Sequence, residues 1–452
     1  MKLSNDLGKD SILSLVFKLA IPAMLSQLVN LLYSIVDRMY IGNIPEIGSI
    51  ALAGVGVCGP IVTFLASFGT LIGLGGSINI SIQMGAKENE KAKQILSNSF
   101  LALSVVSIAL TIIFLLVKDS LIMLFGASEI TFPYANTYLT IYTLGSFFAI
   151  MAIGLNFFIT CQGFATIGML TVIIGAITNI ILDTVFIFGF NMGVAGAAWA
   201  TVIAQFLSFL FAFLFLRGNK IPIPITFGNY SKKIMIKIIT FGFSPFFILA
   251  TDSFILIILN MMLQKYGGIA EGDLLISSAT IIQSYLLLIT GPLIGLTGGT
   301  QPILSYNYGA RKIHRVRKAE KYIVIFALCL TSIMFFSTRF LAPQFIRFFT
   351  DNVLLSEVSL WGIKVSVLAV IPLSFQYCFV DGFTAVGRIK IAFSLSVFRK
   401  FIYMVSTYLL PLFFTARFAF FAQPVADLIG SIASTVTFYF VFHKHLKRRI
   451  LK

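Results

Sequence analysis

The chain has 452 residues, of which 58% are hydrophobic and only 11% are charged, and its mean hydropathy is +0.96. Water-soluble domains are about half apolar and about a quarter charged, so this composition excludes a soluble globular protein. The apolar residues fall in long runs rather than in short alternating segments. This pattern predicts membrane-spanning helices and not an outer-membrane barrel.

Twelve apolar stretches follow one another along the chain, each long enough to cross a hydrocarbon core of about 30 Å as a helix. The segment 217–237 is basic and contains prolines, and it separates six stretches from six. We therefore predict an all-α polytopic membrane protein with an N-terminal lobe at 1–216, a cytoplasmic linker at 217–237 and a C-terminal lobe at 238–452. The predicted spans are 14–41, 50–83, 95–117, 132–161, 166–190, 194–216, 238–264, 274–305, 321–346, 356–384, 391–414 and 418–442.

The formal net charge of +16 reflects topology and does not indicate a nucleic-acid partner. Of the 33 lysines and arginines, 24 lie in one alternate set of connections and only five lie at the opposite ends of the spans. The positive-inside rule makes the rich set cytoplasmic, so both termini are predicted inside. Binding of anionic lipids is the alternative role for these clusters. We expect a multi-pass protein of the bacterial inner (plasma) membrane, whose first span is a retained signal anchor.

The two halves of the sequence repeat each other. Pro22 has a counterpart in Pro245 and Gly163 has one in Gly387, and the two intervals differ by a single position. An even number of spans in each half makes the repeat parallel, with an axis along the membrane normal. Two similar bundles that face each other across a cleft form a transporter, whereas a duplication without a cleft is the alternative interpretation.

Five aspartates lie inside the predicted spans, where a central aspartate costs about 2.5–3.5 kcal/mol on insertion scales. They are Asp37, Asp183, Asp252, Asp381 and Asp427. Such residues persist where they are paired, hydrated or functional. We expect Asp381 and Asp427, near predicted span ends, to be structural, whereas Asp252 either faces the substrate path or anchors the structure.

Asp37 ends a polar stripe that recurs every three or four residues along one face of the first span. The stripe contains Gln27, Asn30, Tyr33, Ser34 and Asp37. This spacing predicts that the face lines water or protein rather than lipid.

Asp183 has Asn179 one helical turn before it, and the next span offers Thr201 and Gln205. These oxygens suit a small hard cation, and a pair of carboxyl groups in a poorly hydrated pocket can instead carry a proton. Hydrogen-bonded structural carboxylates are the alternative. At the repeat offset, Asp37 and Asp183 fall on neutral residues, which assigns ion coupling to the first half.

The residues that a membrane enzyme needs are missing from the spans. The three histidines lie in connections, no Ser, His and Asp set can be assembled, and no P-loop is present, which excludes hydrolysis of ATP on this chain. We predict that the protein is not an enzyme and that an ion gradient drives it. The four scattered cysteines indicate small buried residues rather than disulfides or a metal site.

Motifs along nearly the whole chain resemble the multidrug and toxic compound extrusion (MATE) family, within the wider multidrug, oligosaccharidyl-lipid and polysaccharide flippase group. They are YSIVDRMYIGN, NFFITCQG, TNIILD, GAAWATVIAQ and PILSYNYGA, with a proline in the first and seventh spans. The resemblance implies a V-shaped, twelve-helix monomer with a central cleft. It would export organic, often cationic and aromatic compounds in exchange for Na⁺ or H⁺, with no other cofactor.

By motif match, the resemblance implies a cation site in the first lobe at Tyr33, Asp37, Asn156, Asn179, Asp183 and Thr201, with Asp37 and Asp183 as the sodium ligands if Na⁺ is the coupling ion. We predict a substrate path along Gln27, Asn30, Gln205, Asp252, Asn260 and Gln283. Asp252 falls where NorM-like relatives carry an acid in the seventh span, so the coupling ion stays open.

Two other functions stay open at this point. A flippase for a lipid-linked or anionic saccharide needs several cationic residues in the cleft, and the candidates within spans are Arg38, Lys364, Arg399 and Lys400. A channel or receptor without coupling would pass solute, or signal, with no response to an ion gradient.

Overall fold

The computed structural model describes residues 5–125, 127–218, 221–350, 352–442 and 444–446, and every regular element in these ranges is helical. The helical fold class predicted from the sequence is confirmed. In chain order the α-helices are α1 (Ile12–Gly42), α2 (Gly48–Gly85), α3 (Asn89–Leu124), α4 (Phe132–Thr160), α5 (Ala165–Asp183), α6 (Gly193–Arg217), α7 (Lys232–Gly309), α8 (Ile313–Arg347), α9 (Val353–Ser366), α10 (Val370–Ala385), α11 (Ile389–Phe413) and α12 (Ala422–Thr437).

Two predicted spans join in α7, and one predicted span is divided between α9 and α10. The helical path of α7 is interrupted at Gly268, whose φ of 59° and ψ of −159° are outside the helical region and open only to glycine. Helices α9 and α10 meet at a 51° bend. Within the described residues, ten helical segments are long and apolar enough to cross a membrane, or eleven if the bent pair is one span.

The outer surfaces of these helices are apolar. The most apolar 18 consecutive residues of α3 have a mean hydropathy of 2.9, yet only 22% of these residues are buried inside the protein. Exposed side chains such as Leu116 and Ile112, at 80% and 55%, continue this surface. An apolar surface of this extent is stable in contact with acyl chains, so the protein is a multi-pass membrane protein.

The helices form two compact units. The first consists of Leu25–Leu249 with the described part of Met1–Asp10, and the second consists of Ser11–Met24 with the described part of Ala250–Lys452. In the first unit, α2 packs against α3 and α4, and α6 packs against α4 and α5. In the second unit, α10 packs against α8, α11 and α12, and α11 packs against α12. The predicted lobe boundaries at 216 and 238 stay a prediction.

A serine forms the same cross-helix hydrogen bond in each unit. Ser81 Oγ donates to the main-chain oxygen of Cys161 across 3.3 Å in the first unit. Ser305 Oγ donates to the main-chain oxygen of Ala385 across 3.0 Å in the second. The interval in sequence between the two donors equals the interval between the two acceptors, so the repeat in the sequence is also a repeat in local structure.

The turns that follow these helices repeat as well. Gly163 and Gly387 have φ angles of 93° and 77°, and Lys87 and Arg311 have φ angles of 63° and 58°. The glycines occupy a region that is unfavourable for residues with a Cβ atom. The two sequence repeats therefore impose the same unusual turns.

One prediction about the cysteines is wrong. Cys58, Cys161 and Cys378 are buried as expected, but Cys329 is exposed. It lies on α8 four residues from Ile325 and four from Ile333, whose side chains are 45% and 66% exposed. Residues four apart share a helix face, so Cys329 belongs to the apolar outer surface.

Candidate cation and substrate site

The structure brings Asp37 and Asp183 together at the ends of α1 and α5. Both are buried, with exposed fractions of 8% and 0%, and their side chains interact directly. No described residue donates a hydrogen bond to either carboxyl oxygen of Asp183 or to Oδ1 of Asp37. A buried pair of carboxyl groups is stable only with a proton or a cation to compensate its charge, so this pair is arranged to take up a positive charge.

Asn179 and Thr201 add neutral oxygen atoms one turn before Asp183. Asn179 Nδ2 donates to Thr201 Oγ1 across 3.2 Å, which joins α5 to α6. The Oδ1 atom of Asn179 is buried and has no hydrogen-bond partner among the described residues. Carboxylate, amide and hydroxyl oxygens are the ligands that hard cations prefer, so this donor set fits a small cation.

The α-helix of α5 ends at Asp183 and continues as a π-helical segment, Thr184–Gly189. The wider turn of a π-helix is rare and occurs often at functional sites. It distinguishes the Asp183 end of this span from the regular helix before it.

Tyr33 and Asn156 complete the six residues predicted to bind the cation. The side chain of Tyr33 lies close enough to Asp37 and Asp183 to interact electrostatically with both. Asn156 Nδ2 donates to the main-chain oxygen of Gly168 at 2.7 Å and to Thr171 Oγ1 at 2.5 Å. All six residues belong to the first unit.

A cavity of about 480 Å³ lies in the first unit beside this cluster. Three predicted substrate-path residues line it, Gln27, Asn30 and Gln205. The Oε1 atom of Gln205 is buried without a described partner. The volume is in the range of pockets that hold drug-sized molecules. Other polar lining residues are Ser26, Tyr33, Ser34, Thr63, Ser67, Thr70, Tyr142, Asn156, Thr171, Asn179, Thr201 and Ser208.

The other three predicted substrate-path residues belong to the second unit. Asp252 forms an ion pair with Lys400, and Gln283 Nε2 lies 3.4 Å from the hydroxyl of Tyr403. Asn260 is half-buried on α7. They are not among the described residues that line the cavity of the first unit.

Asp427 has the partners of a structural carboxylate. It is 2% exposed, and it accepts hydrogen bonds from Arg399 Nη1 at 2.7 Å and from Gln423 Nε2 at 2.8 Å. A buried charge that is paired and hydrogen-bonded needs no further ligand.

One buried acid, Glu320, was not predicted from the sequence. The ninth predicted span begins at 321 and so excludes this residue, but α8 begins at Ile313 and buries Glu320 to 3% exposure. Glu320 lies between arginines and lysines, a context that indicates a solvated connection. A helix that continues without a break through this basic segment is the signal that could have predicted the burial of Glu320.

Comparison with known proteins gives two matches to the MatE family, at residues 22–185 and 246–409. The starts of the two matches are separated by the same interval as Gly163 and Gly387, so each match covers one copy of the repeat. A multidrug export protein, MepA, from Staphylococcus saprophyticus is 26% identical over 84% of this chain and 83% of its own. MepA from Staphylococcus aureus is 23% identical over 95% and 94%.

The fold is also that of a solved structure, described as the outward-facing conformation of a multidrug resistance MATE family transporter of the MOP superfamily. The two structures superpose with a TM-score of 0.90 at 21% sequence identity, over 98% of each chain. This likeness confirms the two-lobed fold with six helices in each half.

Proposed function

This chain belongs to the MatE family, and we propose that it is a secondary active multidrug efflux antiporter, which exports organic compounds in exchange for Na⁺ or H⁺. The names of the MepA relatives, which it matches over most of its length, support export of drug-like substrates. Transport is the proposed activity, in place of an enzymatic reaction.

The observation that carries the proposal is the Asp37 and Asp183 pair beside a cavity of the same unit that is lined by both polar and apolar side chains. The carboxyl groups are buried, they contact each other, and Asp183 accepts no hydrogen bond from a described residue. Neutral oxygens of Asn179 and Thr201 lie one turn away. Uptake of a cation here changes the net charge beside the cavity, next to its lining residues Tyr33, Asn179 and Thr201, which gives the cation an effect on substrate binding.

The proposed cycle is alternating access. The protein with an empty cation site binds substrate from the cytoplasm or the inner leaflet, turns outward, and exchanges the substrate for a cation at Asp37 and Asp183. Coupling requires that cation and substrate favour different conformations. A ligand with equal affinity for both conformations would shift nothing.

We also propose a membrane location, an oligomeric state and an orientation of the termini for this protein. We infer that the chain resides in the bacterial inner membrane as a monomer, with both termini in the cytoplasm, where the positive-inside rule puts the basic residues of the rich connections. Its partners are small organic substrates, the coupling ion and the bilayer. No nucleic acid and no cofactor are required.

The flippase alternative is less well supported. It needs free cationic side chains, but Arg399 is paired with Asp427 and Lys400 is paired with Asp252. Only Arg38 and Lys364, both exposed, remain of the four candidates. In the second unit, both cationic candidates are therefore neutralised by aspartates and do not offer a free positive charge to an anionic saccharide.

The test is efflux of a fluorescent cationic dye from proteoliposomes, with Na⁺ and pH gradients imposed separately. The gradient that drives efflux identifies the coupling ion. We expect Asp37→Asn and Asp183→Asn to abolish driven efflux while insertion is normal. Asp119→Asn is the matched control, because that carboxylate is 66% exposed and its ion-pair partner among the described residues is Lys118.

Two results would contradict the proposal. Normal gradient-driven efflux in both aspartate variants would remove the cation site from the mechanism. Passive dye flux that does not change with either the Na⁺ gradient or the pH gradient would identify a channel instead of an antiporter.

A further inference from the structure

The second unit contains its own pair of neighbouring acids, the buried Glu320 on α8 and the half-buried Asp381 on α10. Glu320 is 3% exposed, and its charge interacts with that of Asp381. Neither carboxyl oxygen of Glu320 accepts a hydrogen bond from a described residue. A Cβ atom on Gly382 would lie 2.8 Å from Glu320 Oε1, so the absence of a side chain at 382 admits the carboxylate.

Two neutral side chains of α7 complete this cluster. The side chains of Thr297 and Gln301, which are 2% and 3% exposed, lie close enough to Asp381 to interact with its carboxyl group. The Oε1 atom of Gln301 is buried and has no hydrogen-bond partner among the described residues. Three oxygen atoms that are almost inaccessible to solvent, two of Glu320 and one of Gln301, are therefore without a donor in the described part of the chain.

Among the described residues, no basic side chain forms an ion pair with Glu320 or Asp381. The ion pairs of the described residues in the second unit join Arg399 to Asp427, Lys400 to Asp252 and Arg417 to Glu271. An uncompensated buried carboxylate is costly, and buried polar atoms are almost always satisfied. The cluster therefore requires a proton or another positively charged ligand that the described residues do not supply.

A proton alone does not satisfy these atoms. One proton on Glu320 creates a single O–H donor, which can reach only one acceptor, whereas a metal ion coordinates several oxygens at once. The carboxyl, amide and hydroxyl groups of the cluster offer only oxygen atoms, and the described residues contain no group of three His, Cys, Asp or Glu that could hold a metal ion, although the buried thiol of Cys378 lies near both acids. Ca²⁺ takes about six to eight oxygen ligands and Mg²⁺ usually keeps several waters, and these few, nearly inaccessible oxygens do not supply them. We therefore take a small monovalent cation, rather than a divalent one, as the occupant.

We propose that Glu320, Asp381, Gln301 and Thr297 form a sodium-binding site in the second unit. The repeat does not generate it, because at the interval that relates the two halves Glu320 falls on Leu96 and Asp381 falls on Phe157. The site is therefore separate from the Asp37 and Asp183 pair. It does not depend on the proposed efflux function, and sodium binding can be measured without transport.

The test is equilibrium binding of radioactive sodium to the purified full-length protein in which Asp37→Asn and Asp183→Asn remove the first pair. We expect one saturable site to remain in this background. Adding Glu320→Gln is expected to weaken its affinity at least tenfold, and Asp381→Asn to do the same. Glu90→Gln is the matched control, because that carboxylate is 86% exposed, and it should leave binding unchanged.

Gel filtration of each variant distinguishes loss of sodium binding from loss of the fold. Because Glu320 and Asp381 are substituted independently, the proposal can still be tested if one of the two variants does not fold. The proposal is overturned if the double-aspartate background binds no sodium, or if binding survives both substitutions. A Glu320 carboxyl that exchanges a proton without sodium binding also overturns it. Since efflux is not measured, failure here leaves the antiport proposal standing.

Discussion

The side-chain amide of Asn179 donates a hydrogen bond to the hydroxyl oxygen of Thr201, and this bond joins α5 to α6 one turn before Asp183. The bond fixes which end of the Asn179 amide is a donor. The carbonyl end is left buried and without a described partner, in the position expected of a ligand. Thr201 thus orients a candidate cation ligand on the neighbouring helix.

Loss of the Thr201 hydroxyl should weaken the use of the coupling ion. We expect Thr201→Val to raise the ion concentration for half-maximal efflux about tenfold, since one buried hydrogen bond contributes about 1 kcal/mol and the unpaired amide adds to the loss. Thr201→Ser keeps the hydroxyl and should behave as the unmodified protein. Efflux rates at graded ion concentrations measure the effect. An equal response of the Val and Ser variants would contradict the orienting role.

Asp37 and Asp183 should act as one unit. Because each carboxyl group needs the other to hold the cation, the variant that carries both Asp37→Asn and Asp183→Asn should lose no more driven efflux than the worse single variant. A double-mutant cycle of efflux rates measures the coupling. Multiplicative losses, as seen for independent sites, would show that the two groups bind separate ligands.

Gly382 should tolerate no side chain. We expect Gly382→Ala to lower the free energy of unfolding by about 1–3 kcal/mol, because the new methyl group would meet the carboxylate of Glu320. Gly298→Ala on α7 is the matched control, since a Cβ there has no neighbour within 4 Å. Thermal unfolding in detergent gives the comparison. The prediction fails if both alanine variants unfold alike, or if Glu320→Ala does not relieve the Gly382 effect.

The two ion pairs of the second unit should differ in importance. Arg399 and Lys400 are about equally enclosed, at 11% and 12% exposed, but the two carboxylates differ. Asp427 is 2% exposed, so Asp427→Asn removes the counter-ion of Arg399 from a place that water hardly reaches, and we expect a loss of about 3–5 kcal/mol in stability. Asp252 is 49% exposed, so water can solvate Lys400 from that side, and Asp252→Asn should reduce stability by about 1 kcal/mol or less. The yield and thermal unfolding of both variants measure this. A larger loss for Asp252 would show that its pair with Lys400 is the structural one.

The helices and the grouping of polar residues in the first unit were predictable because their signals are local or repeated. Long apolar runs define helices in lipid, and a three-to-four-residue spacing put Gln27, Asn30 and Tyr33 on one face before the cavity was known. Asp37 and Asp183 could be paired only through the family resemblance, because they lie on spans that are far apart in the chain and composition cannot bring them together.

The cluster of Glu320 and Asp381 was not predictable, because its signals are neither local nor repeated in the sequence. Glu320 stands among basic residues, so its sequence context resembles a solvated connection, and its burial depends on packing of α8 against α10. The exposure of Cys329 has the same origin, because an apolar neighbourhood does not say whether a side chain faces protein or lipid. Tertiary packing decides both cases.

The paired hydrogen bonds of Ser81 and Ser305 bear on how this duplicated chain diverged. Each serine donates to a main-chain oxygen, which every amino acid provides, so the side chain at the accepting position was free to drift. One copy now has Cys161 there and the other has Ala385. After duplication, each copy acquired different side chains, such as the acidic residues that differ between the two units. The main-chain oxygens that accept the serine hydrogen bonds kept the same geometry in both copies.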